Sequence, residues 1–243
     1  MAGYVCAVAS GKGGVGKTTA AANVATTLEE EGYDVVVADA DLGMANLATT
    51  LNVESDVSIH EVLAGDATVS DALTDAEHGV AVIPGDRTLE AFADADPAGL
   101  KTVIRTLRNA YDVVIVDTGA GLSHETTVPL GLADGVVLVT TPDDVAVGDT
   151  VKTAELADRV GGDVLGVVVN RARTGADAEG IAERVGVPLL AVVPDDAPAT
   201  ETEPLVLAAS DSPAADAFRA VTDLLVDVFF EEADPAEIGR AHV

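Results

Sequence analysis

The chain has 243 residues, of which 48% are hydrophobic, and its 42 Asp and Glu against 13 Lys and Arg give a formal net charge of -29. This hydrophobic fraction excludes a disordered acidic tail, because such a chain can bury a core. The length alone does not decide between one domain and two, since a typical domain has about 150 residues.

Lysine occurs only at positions 12, 17, 101 and 152. This depletion is typical of halophilic proteins, because molar salt shortens the Debye length to about 3 Å and weakens repulsion between carboxylates. An acidic surface for a basic partner is the alternative, although the carboxylates are spread over the whole chain. The N-terminus has no basic leader, and no apolar stretch approaches the roughly 18 residues of a membrane span. We therefore expect a soluble protein of a high-salt cytoplasm.

Seven β-branched runs alternate with helix-like segments along the chain. The runs cover 4–10, 34–40, 79–85, 111–119, 135–142, 164–170 and 189–194, and most are apolar on both faces, as in parallel strands covered by helices. Helical spacing is present in segments such as 18–32 and 97–110. The alternation predicts one doubly wound α/β domain over 1–230, with a mostly parallel sheet and helices on both faces, followed by a short acidic tail at 231–243. The stretch 194–204, rich in Pro and acidic residues, is predicted to be a loop.

A glycine-rich stretch, SGKGGVGKTT at 10–19, lies between the first predicted strand and the first predicted helix. It satisfies G-x-x-x-x-G-K-[ST], a loop that directs backbone N–H groups at phosphate oxygens. We expect Lys17 to bind the β- and γ-phosphates, Thr18 to ligate Mg²⁺ and Thr19 to contact the α-phosphate. The predicted nucleotide contacts of this loop are Gly11, Lys12, Gly13, Gly14, Val15, Gly16, Lys17, Thr18 and Thr19.

A second motif, YDVVIVDTGAG at 111–121, ends an apolar strand in Asp117. An apolar strand that ends in Asp is a common pattern. It indicates a metal site here only because a phosphate-binding loop is predicted beside it. We predict that Asp117 binds Mg²⁺ through water. Gly119 and Gly121 are predicted to form a mobile loop that senses the γ-phosphate.

Together, KGGVGKTT at 12–19, DADLGMANL at 39–47 and DTGAGLS at 117–123 resemble the MinD/ParA family of deviant Walker A ATPases. The likeness is greatest to the MinD branch, of archaeal and halophilic type, and extends from Tyr4 to about Phe230. It implies slow, Mg²⁺-dependent hydrolysis of ATP to ADP and a homodimer in the ATP state. Such a switch positions a cellular assembly and can itself be polar or otherwise patterned in the cell.

The resemblance also assigns the second lysine of the loop. Lys12 would be the signature lysine, which crosses the dimer interface and contacts the nucleotide of the other subunit. The alternative is a solvated loop charge. An unknown protein partner or activator is implied as well, and division, motility and chemosensory machinery are all open as cargo.

Three residues of DADLGMANL take roles from the same resemblance. Asp41 would orient the attacking water, Asp39 would support the metal shell, and Asn46 fits the G-x-x-N-L continuation of the switch. The alternative interpretation is that these carboxylates cap the strand end.

On the far side of the nucleotide, Asn170 resembles the residue of the family that reads adenine, with Arg171 beside it. Pro194 and Asp195 would line the same pocket. Asn is also a common turn residue after a strand, so that alternative remains open for Asn170.

The C-terminus departs from the bacterial MinD pattern of a basic, membrane-bound helix. Segment 214–230 has an apolar stripe, but its polar positions are mainly acidic, whereas an interfacial helix offers Lys and Arg to anionic lipid. We predict a helix that packs on the core, with a membrane anchor as the alternative. Nucleic-acid binding is not expected, because nine arginines among 42 acids offer little basic surface. A ParA-like partition ATPase and a recruitment module with negligible hydrolysis remain alternative functions.

Overall fold

The computed structural model describes residues 2–195 and 203–231. The eight strands found there are β1 (Tyr4–Ser10), β2 (Val35–Ala40), β3 (Thr74–Asp75), β4 (Ala81–Ile83), β5 (Val113–Ala120), β6 (Gly135–Thr140), β7 (Val164–Ala172) and β8 (Leu189–Pro194). They form one sheet in the order β3-β4-β2-β5-β1-β6-β7-β8. Only the edge pair β3 and β4 is antiparallel within this sheet. The predicted α/β fold with a mostly parallel sheet is confirmed.

The helices of the described residues connect these strands. They are α1 (Lys17–Glu30), α2 (Leu47–Thr50), α3 (Ile59–Ala64), α4 (Val69–Ala72), α5 (Leu89–Asp94), α6 (Leu100–Arg108), α7 (His124–Leu130), α8 (Asp144–Val160), α9 (Ala178–Val185), α10 (Leu205–Ala208) and α11 (Pro213–Phe230). A 3₁₀ turn over Pro97–Gly99 precedes α6. The predicted segment 97–110 is therefore divided, and helical hydrogen bonding of the α type begins at Leu100.

Helices cover both faces of the sheet, and β1 shows why its residues are apolar on both sides. Cys6 and Val8 pack in the core that α1 and α11 share. Ala7 and Ala9 point to the opposite face, where α7, α8 and α9 pack. Because β1 is fully covered, burial raises the pKa of the Cys6 thiol to about 12.

The strand β3 was not predicted, and β4 is shorter than the predicted run 79–85. Two residues are too few to give an alternating pattern, so β3 has no sequence signal. Gly79 has φ 93° in the turn before β4, and Pro84 follows the strand without an N–H for the ladder. Residues 196–202 of the predicted loop and 232–243 of the predicted tail lie outside the described residues.

The last helix, α11, packs against the sheet as predicted. Its apolar side includes Phe218, Val221 and Leu225, which are buried together with β-strand residues. Within residues 2–195 and 203–231, no helix combines the length and the apolar character needed to cross a membrane.

The position of β1 determines where a ligand can bind. This strand lies between β5 and β6, so the chain leaves β1 at the point where the strand order changes direction. In open α/β sheets, ligands bind outside the carboxyl ends of the strands at such a point. The glycine-rich loop follows β1 and therefore lies there.

Candidate nucleotide-binding site

The glycine-rich loop is fitted closely between α8 and β7, and two of its glycines have no substitute. A Cβ on Gly11 would lie 2.1 Å from the backbone carbon of Asp149 in α8. Gly16 has φ 99°, and a Cβ there would lie 2.1 Å from the Nδ2 atom of Asn170. Both positions require glycine, the first for space and the second also for its left-handed backbone.

The same loop presents free backbone donors. Within the described part of the chain, the N–H groups from Gly13 to Thr19 have no hydrogen-bond acceptor, whereas the N–H of Ala20 reaches the carbonyl oxygen of Gly16 at 2.9 Å. Orphan N–H groups at a helix N-terminus attract anions, and the helix dipole adds to this attraction. The loop therefore has the geometry of a phosphate cradle.

A cleft of about 480 Å³ opens in front of this cradle. It brings together many of the predicted residues, namely Gly13, Gly14, Gly16, Lys17, Thr18, Thr19, Asp41, Asn46, Gly119 and Arg171. The other residues that line it, which were not predicted, are Met44, Thr50, Ala120, Ser123 and Glu125. Lys17 is buried at the base of the cleft. Gly11, Lys12 and Val15 belong to the loop but lie outside this lining.

Asp117 lies under the cleft with an unusual environment for a carboxylate. It is buried, and neither of its oxygens has a hydrogen-bond partner among the described residues. Its pKa is raised, first by burial and then by the nearby Asp39, while Lys17 and the hydroxyl of Thr18, which lies near without forming a hydrogen bond of normal geometry, oppose the shift. A buried carboxylate without a partner suits a group that meets a cation.

Asp39 is the neighbour of Asp117 on the adjacent strand, because the two are register partners on β2 and β5. Its oxygens accept three backbone N–H groups, from Asp41 at 3.1 Å, Asn46 at 2.9 Å and Leu47 at 3.0 Å. Burial raises the pKa of this carboxyl, and the hydrogen bonds oppose the shift. This geometry favours the strand-end cap for Asp39 over direct metal support.

Asp41 and Asn46 occupy the loop that Asp39 holds. The Oδ1 atom of Asp41 accepts the N–H of Met44 at 3.1 Å, which keeps the carboxylate at the edge of the cleft. Asn46 begins α2, and its side-chain oxygen accepts a hydrogen bond from Arg87. The predicted roles of these two residues remain predictions.

Arg87 is a contributor that sequence reasoning missed. Its Nε donates to the carbonyl oxygen of Ala45 at 2.9 Å, beside its contact with Asn46. Contacts between a loop after β4 and a loop after β2 have no local sequence signal. The only available signal was the scarcity of Lys and Arg in this chain, because an arginine in such a composition is more often there for a specific contact.

Lys12 does not line the cleft and pairs instead with a residue at the start of α8. Its Nζ lies 3.1 Å from the Oδ1 of Asp143, the residue that caps α8, and the Lys12 side chain is 44% exposed. Asp143 also accepts the N–H of Ala146 at 3.0 Å. The two loop lysines therefore face different surroundings, with Lys17 inside the site and Lys12 at its outer edge.

Asn170 and Arg171 contact the glycine-rich loop from β7. The Nδ2 of Asn170 donates to the carbonyl oxygen of Val15 at 2.8 Å, and its Oδ1 accepts the N–H of Arg171 at 2.8 Å. Arg171, at φ 52°, donates to the carbonyl oxygen of Gly14 at 3.0 Å. Asn170 thus braces the loop from below, and its reading of adenine stays a prediction.

Pro194 ends β8, and Asp195 lies beside a second hollow of about 640 Å³. The Oδ2 of Asp195 is 3.4 Å from the Nε of Arg173, and its N–H donates to the carbonyl oxygen of Ala172. Arg171 lines both hollows, so the two are neighbours on either side of its side chain.

The loop after β5 begins later than predicted, because Gly119 belongs to the strand itself. Its carbonyl oxygen accepts the hydroxyl of Thr126 at 3.0 Å. Gly121 has φ 87° and lies in the turn that follows. Glu125 in α7 was not predicted; burial and then Asp41 raise the pKa of its carboxyl at the edge of the cleft.

A second missed contact joins the segment after β8 to α1. The Nδ2 of Asn23 donates to the carbonyl oxygen of Thr19 at 2.8 Å and to the Oε2 of Glu203 at 2.9 Å. Its Oδ1 accepts the N–H of Val206. A buried Asn in the middle of an apolar helix was the available signal, since buried amides need partners.

Residues 6–203 match the CbiA family, the CobQ/CobB/MinD/ParA nucleotide binding domain. The chain belongs to this family. The match includes the glycine-rich loop, the Asp39 to Asn46 loop and Asp117, so the cleft lies in a nucleotide-binding domain of the MinD/ParA ATPase type.

Among curated relatives, an uncharacterized ATP-binding protein of Methanocaldococcus jannaschii is 36% identical over 93% of this chain and 88% of its own length. A flagellum site-determining protein, YlxH of Helicobacter pylori, is 38% identical over 59% of this chain. This chain spans half of that relative's length.

Three solved structures are similar in fold. The cell division ATPase MinD of Pyrococcus furiosus has a TM-score of 0.87 and 34% identity, over 93% of this chain and 99% of that chain. The septum site-determining protein MinD of Pyrococcus horikoshii, complexed with Mg-ADP, has a TM-score of 0.87 and 33% identity over 95% and 98%. A MinC:MinD cell division protein complex of Aquifex aeolicus has a TM-score of 0.81 and 26% identity over 92% and 95%.

Proposed function

We propose that this protein is an ATP-dependent dimerisation switch of the MinD type that hydrolyses ATP to ADP and positions a cellular assembly. The observation that carries the proposal is the different placement of the two loop lysines. Lys17 is buried at the base of the cleft, whereas Lys12 lies outside it in an exposed ion pair with Asp143, where a second subunit can reach it. One lysine then serves the site from within and the other from across the dimer.

The residues around Asp117 fit a magnesium ion. Mg²⁺ in nucleotide sites keeps several waters and takes one or two protein oxygens together with phosphates. Thr18 and Asp117 would hold it, Asp117 through water, because both carboxylate oxygens are buried without partners in the described structure. When bound, the ion neutralises phosphate charge during phosphoryl transfer.

In this proposal Asp41 orients the attacking water. It lies at the edge of the cleft on a loop fixed at both ends, by Asp39 and by Arg87. Phosphoryl transfer depends mainly on positioning and on electrostatic stabilisation, so a fixed carboxylate contributes most by holding water in line. Lys12 of the other subunit would stabilise charge on the phosphates, as an arginine finger does.

The cargo is proposed only as a class. Relatives named for cell division, septum site and flagellum site determination support spatial positioning in division or motility machinery, and chemosensory arrays are a further candidate. The halophilic character and a high-salt cytoplasm belong to the same proposal and are supported by the acidic composition. A recruitment module with negligible hydrolysis is the alternative, which phosphate release tests.

Three alanine variants in about 2 M KCl test these roles, since salt at this concentration screens surface charges. Lys17→Ala should lose ATP binding in calorimetry, because it removes the main cation of the cradle. Lys12→Ala should bind ATP but lower turnover about 10³-fold, the scale of an arginine finger. Asp41→Ala should bind Mg·ATP, release no phosphate and accumulate as a dimer in light scattering.

Each variant can contradict its own assignment. Undiminished ATP affinity in Lys17→Ala would remove Lys17 from the site. If mixing Lys12→Ala with Asp41→Ala changes nothing relative to either alone, the sites are not shared across a dimer. Hydrolysis at the wild-type rate by Asp41→Ala would exclude the proposed water-orienting role.

A further inference from the structure

An exposed apolar ridge lies beside the nucleotide cleft, formed by Met44, which also lines the cleft, and by Leu89 and Phe92. Their side chains are 76%, 83% and 45% exposed, and they are three of the seven large hydrophobic side chains exposed in the described residues. Leu89 and Phe92 are three positions apart in α5, a helix with no buried residue. A Cβ on Gly43 would lie 3.9 Å from the Phe92 ring, so this ring reaches the loop that carries Met44.

The other side of α5 borders an acidic groove of about 240 Å³. Glu90 and Asp94, one helical turn apart, line it together with Glu61, Asp66 and Asp86. No Lys or Arg lines this groove among the described residues. Five carboxylates therefore surround one hollow directly beside an exposed apolar ridge.

We propose that the ridge and the groove together form a docking surface for a protein segment that presents apolar side chains next to Lys or Arg. Exposed large apolar side chains rimmed by charge mark interaction sites, and the apolar contact would supply most of the affinity. The carboxylates then select a cationic partner by charge complementarity.

The same charges exclude other occupants. Anionic lipid headgroups and nucleic-acid phosphates would meet the five carboxylates of the groove. A second copy docked through the same groove would oppose these five carboxylates with its own, and the sedimentation control below tests that occupant. The occupant is therefore a different protein with a basic, amphipathic segment.

The docking surface is linked to the loop between Asp39 and Asn46 through Arg87, which lies two residues before α5. This side chain donates to Ala45 and Asn46, and the N–H of Asn46 donates to Asp39. A partner that contacts Leu89 and Met44 would touch both segments that Arg87 joins, the start of α5 and the loop between Asp39 and Asn46. The coupling between partner and nucleotide, which must be reciprocal, rests on the proposed function.

A peptide-binding experiment tests the surface itself. The probe is a labelled amphipathic Leu/Lys peptide of about 18 residues, long enough to form a helix. Fluorescence anisotropy with the full chain is measured from about 0.5 M to about 2 M KCl, and the effect of charge on peptide binding should weaken as salt rises, because screening reduces the attraction between exposed charges. The double variant Leu89→Ser, Phe92→Ser should weaken binding at least about tenfold, as loss of interface anchors does. Leu122→Ser is the matched control, because Leu122 is also exposed, at 59%, but lies outside the ridge.

Charge and oligomer controls complete the test. The double variant Glu90→Gln, Asp94→Asn should also weaken binding of the Leu/Lys peptide, and a Leu/Glu peptide should not bind to the wild-type protein. Equal loss in Leu122→Ser, unchanged binding to the double serine variant, or equal binding of the Leu/Glu peptide would overturn the docking surface. A wild-type dimer that the serine variant abolishes, seen by sedimentation without nucleotide, would instead assign the ridge to a second copy and overturn the proposal.

The nucleotide coupling is measured separately, with ATP or ADP added to wild type and to Lys17→Ala. The affinity for the peptide should change with nucleotide in wild type and stay constant in Lys17→Ala. If wild type binds the peptide equally in all states, the coupling is wrong while the docking surface stands. Failure of nucleotide binding itself would show in calorimetry and would count against the proposed function alone.

Discussion

The Asp117 carboxylate is buried in this fold at a cost in stability. Both oxygens lack partners in the described structure, and Asp39 lies on the neighbouring strand in register. Such a group destabilises the nucleotide-free protein, since a buried polar group without a partner costs about 1–3 kcal/mol. Functional sites often contain such an unfavourable group, here a buried carboxylate without a partner, when its partner is a ligand that binds later.

Asp117→Asn should therefore raise the melting temperature of the nucleotide-free protein while weakening its affinity for Mg·ATP. The amide keeps the shape of the side chain but removes the buried charge, and about 1 kcal/mol corresponds to about 2–4 °C in a chain of this size. Asp163→Asn is the control, because it removes the same charge from an exposed position. Equal stabilisation by both variants would attribute the gain to net charge, and an unchanged affinity for Mg·ATP would exclude the metal role.

The ion pair between Lys12 and Asp143 is exposed on both sides, and exposed pairs contribute little to stability because water and salt screen them. Such a weak pair can open without much loss, which lets Lys12 transfer to a second subunit. Asp143→Asn keeps the helix cap, because Asn caps as well as Asp does. We expect the concentration of half-dimerisation with ATP to fall by no more than a few-fold, because an exposed ion pair contributes little.

The control for this prediction is Asp144→Asn, which removes the adjacent charge that pairs with Arg184 instead. Sedimentation with ATP and Mg²⁺ in the Asp41→Ala background measures dimerisation without turnover. A dimer that weakens in Asp143→Asn, or one that responds equally to both substitutions, would contradict the idea that Asp143 holds Lys12 in the monomer.

The residues that sequence reasoning placed correctly in the cleft share a local cause. Gly13, Lys17 and Thr18 follow a buried strand directly, so the chain itself carries them to the carboxyl edge of the sheet. Arg87 depends on two loops that meet only after the sheet is assembled. Asn23 likewise meets Glu203 across 180 positions, and no local pattern contains that pairing.

At the scale of elements, long periodic segments were predictable and short ones were not. The helix α11 has 18 residues and a full apolar stripe, whereas α2, α4 and α10 have four residues each. A helix of one turn carries no period, so its position is fixed by tertiary contacts. The packing of α11 on the core was predicted, but its aromatic partners were not, since Tyr4 and Tyr33 meet it only across the fold.

Those aromatic contacts hold the end of α11 to the sheet and to the loop after α1. The ring of Tyr4 stacks on Phe229 with centroids 4.9 Å apart, and Tyr33 stacks on Phe230 at 4.7 Å. Phe229 is buried, so the apolar side of the helix is already used. A helix in this state has little apolar surface to offer to a bilayer.

We therefore expect no ATP-dependent flotation of the full chain with vesicles that contain anionic lipid. Binding through an interfacial helix needs a free apolar face and cationic side chains, and α11 has Asp216, Asp223 and Asp227 on its polar positions. Removal of residues 231–243 should leave both ATP affinity and the absence of flotation unchanged. Strong flotation with ATP that disappears on this truncation would restore the membrane anchor.

At the scale of the whole molecule, the surface charge opposes the compact state. Seven ion pairs are present in the described residues, and most involve exposed side chains that contribute little. With 13 cations for 42 acids, most carboxylates have no cation to pair with, so only dissolved counterions can screen them. The apolar core is ordinary in kind, because it is built from strand and helix faces, and it does not depend on charge.

The free energy of unfolding should therefore rise as KCl increases from about 0.1 M to about 2 M, because the Debye length falls from about 10 Å to below about 3 Å. Urea unfolding followed by circular dichroism at each salt concentration measures this. Sucrose is the control, since it favours burial by exclusion from the surface but screens no charge. Sucrose should recover only part of the stability that KCl gives. Full stability in dilute buffer near pH 7, with no gain in KCl, would show that the acidic surface serves a basic partner instead of molar salt.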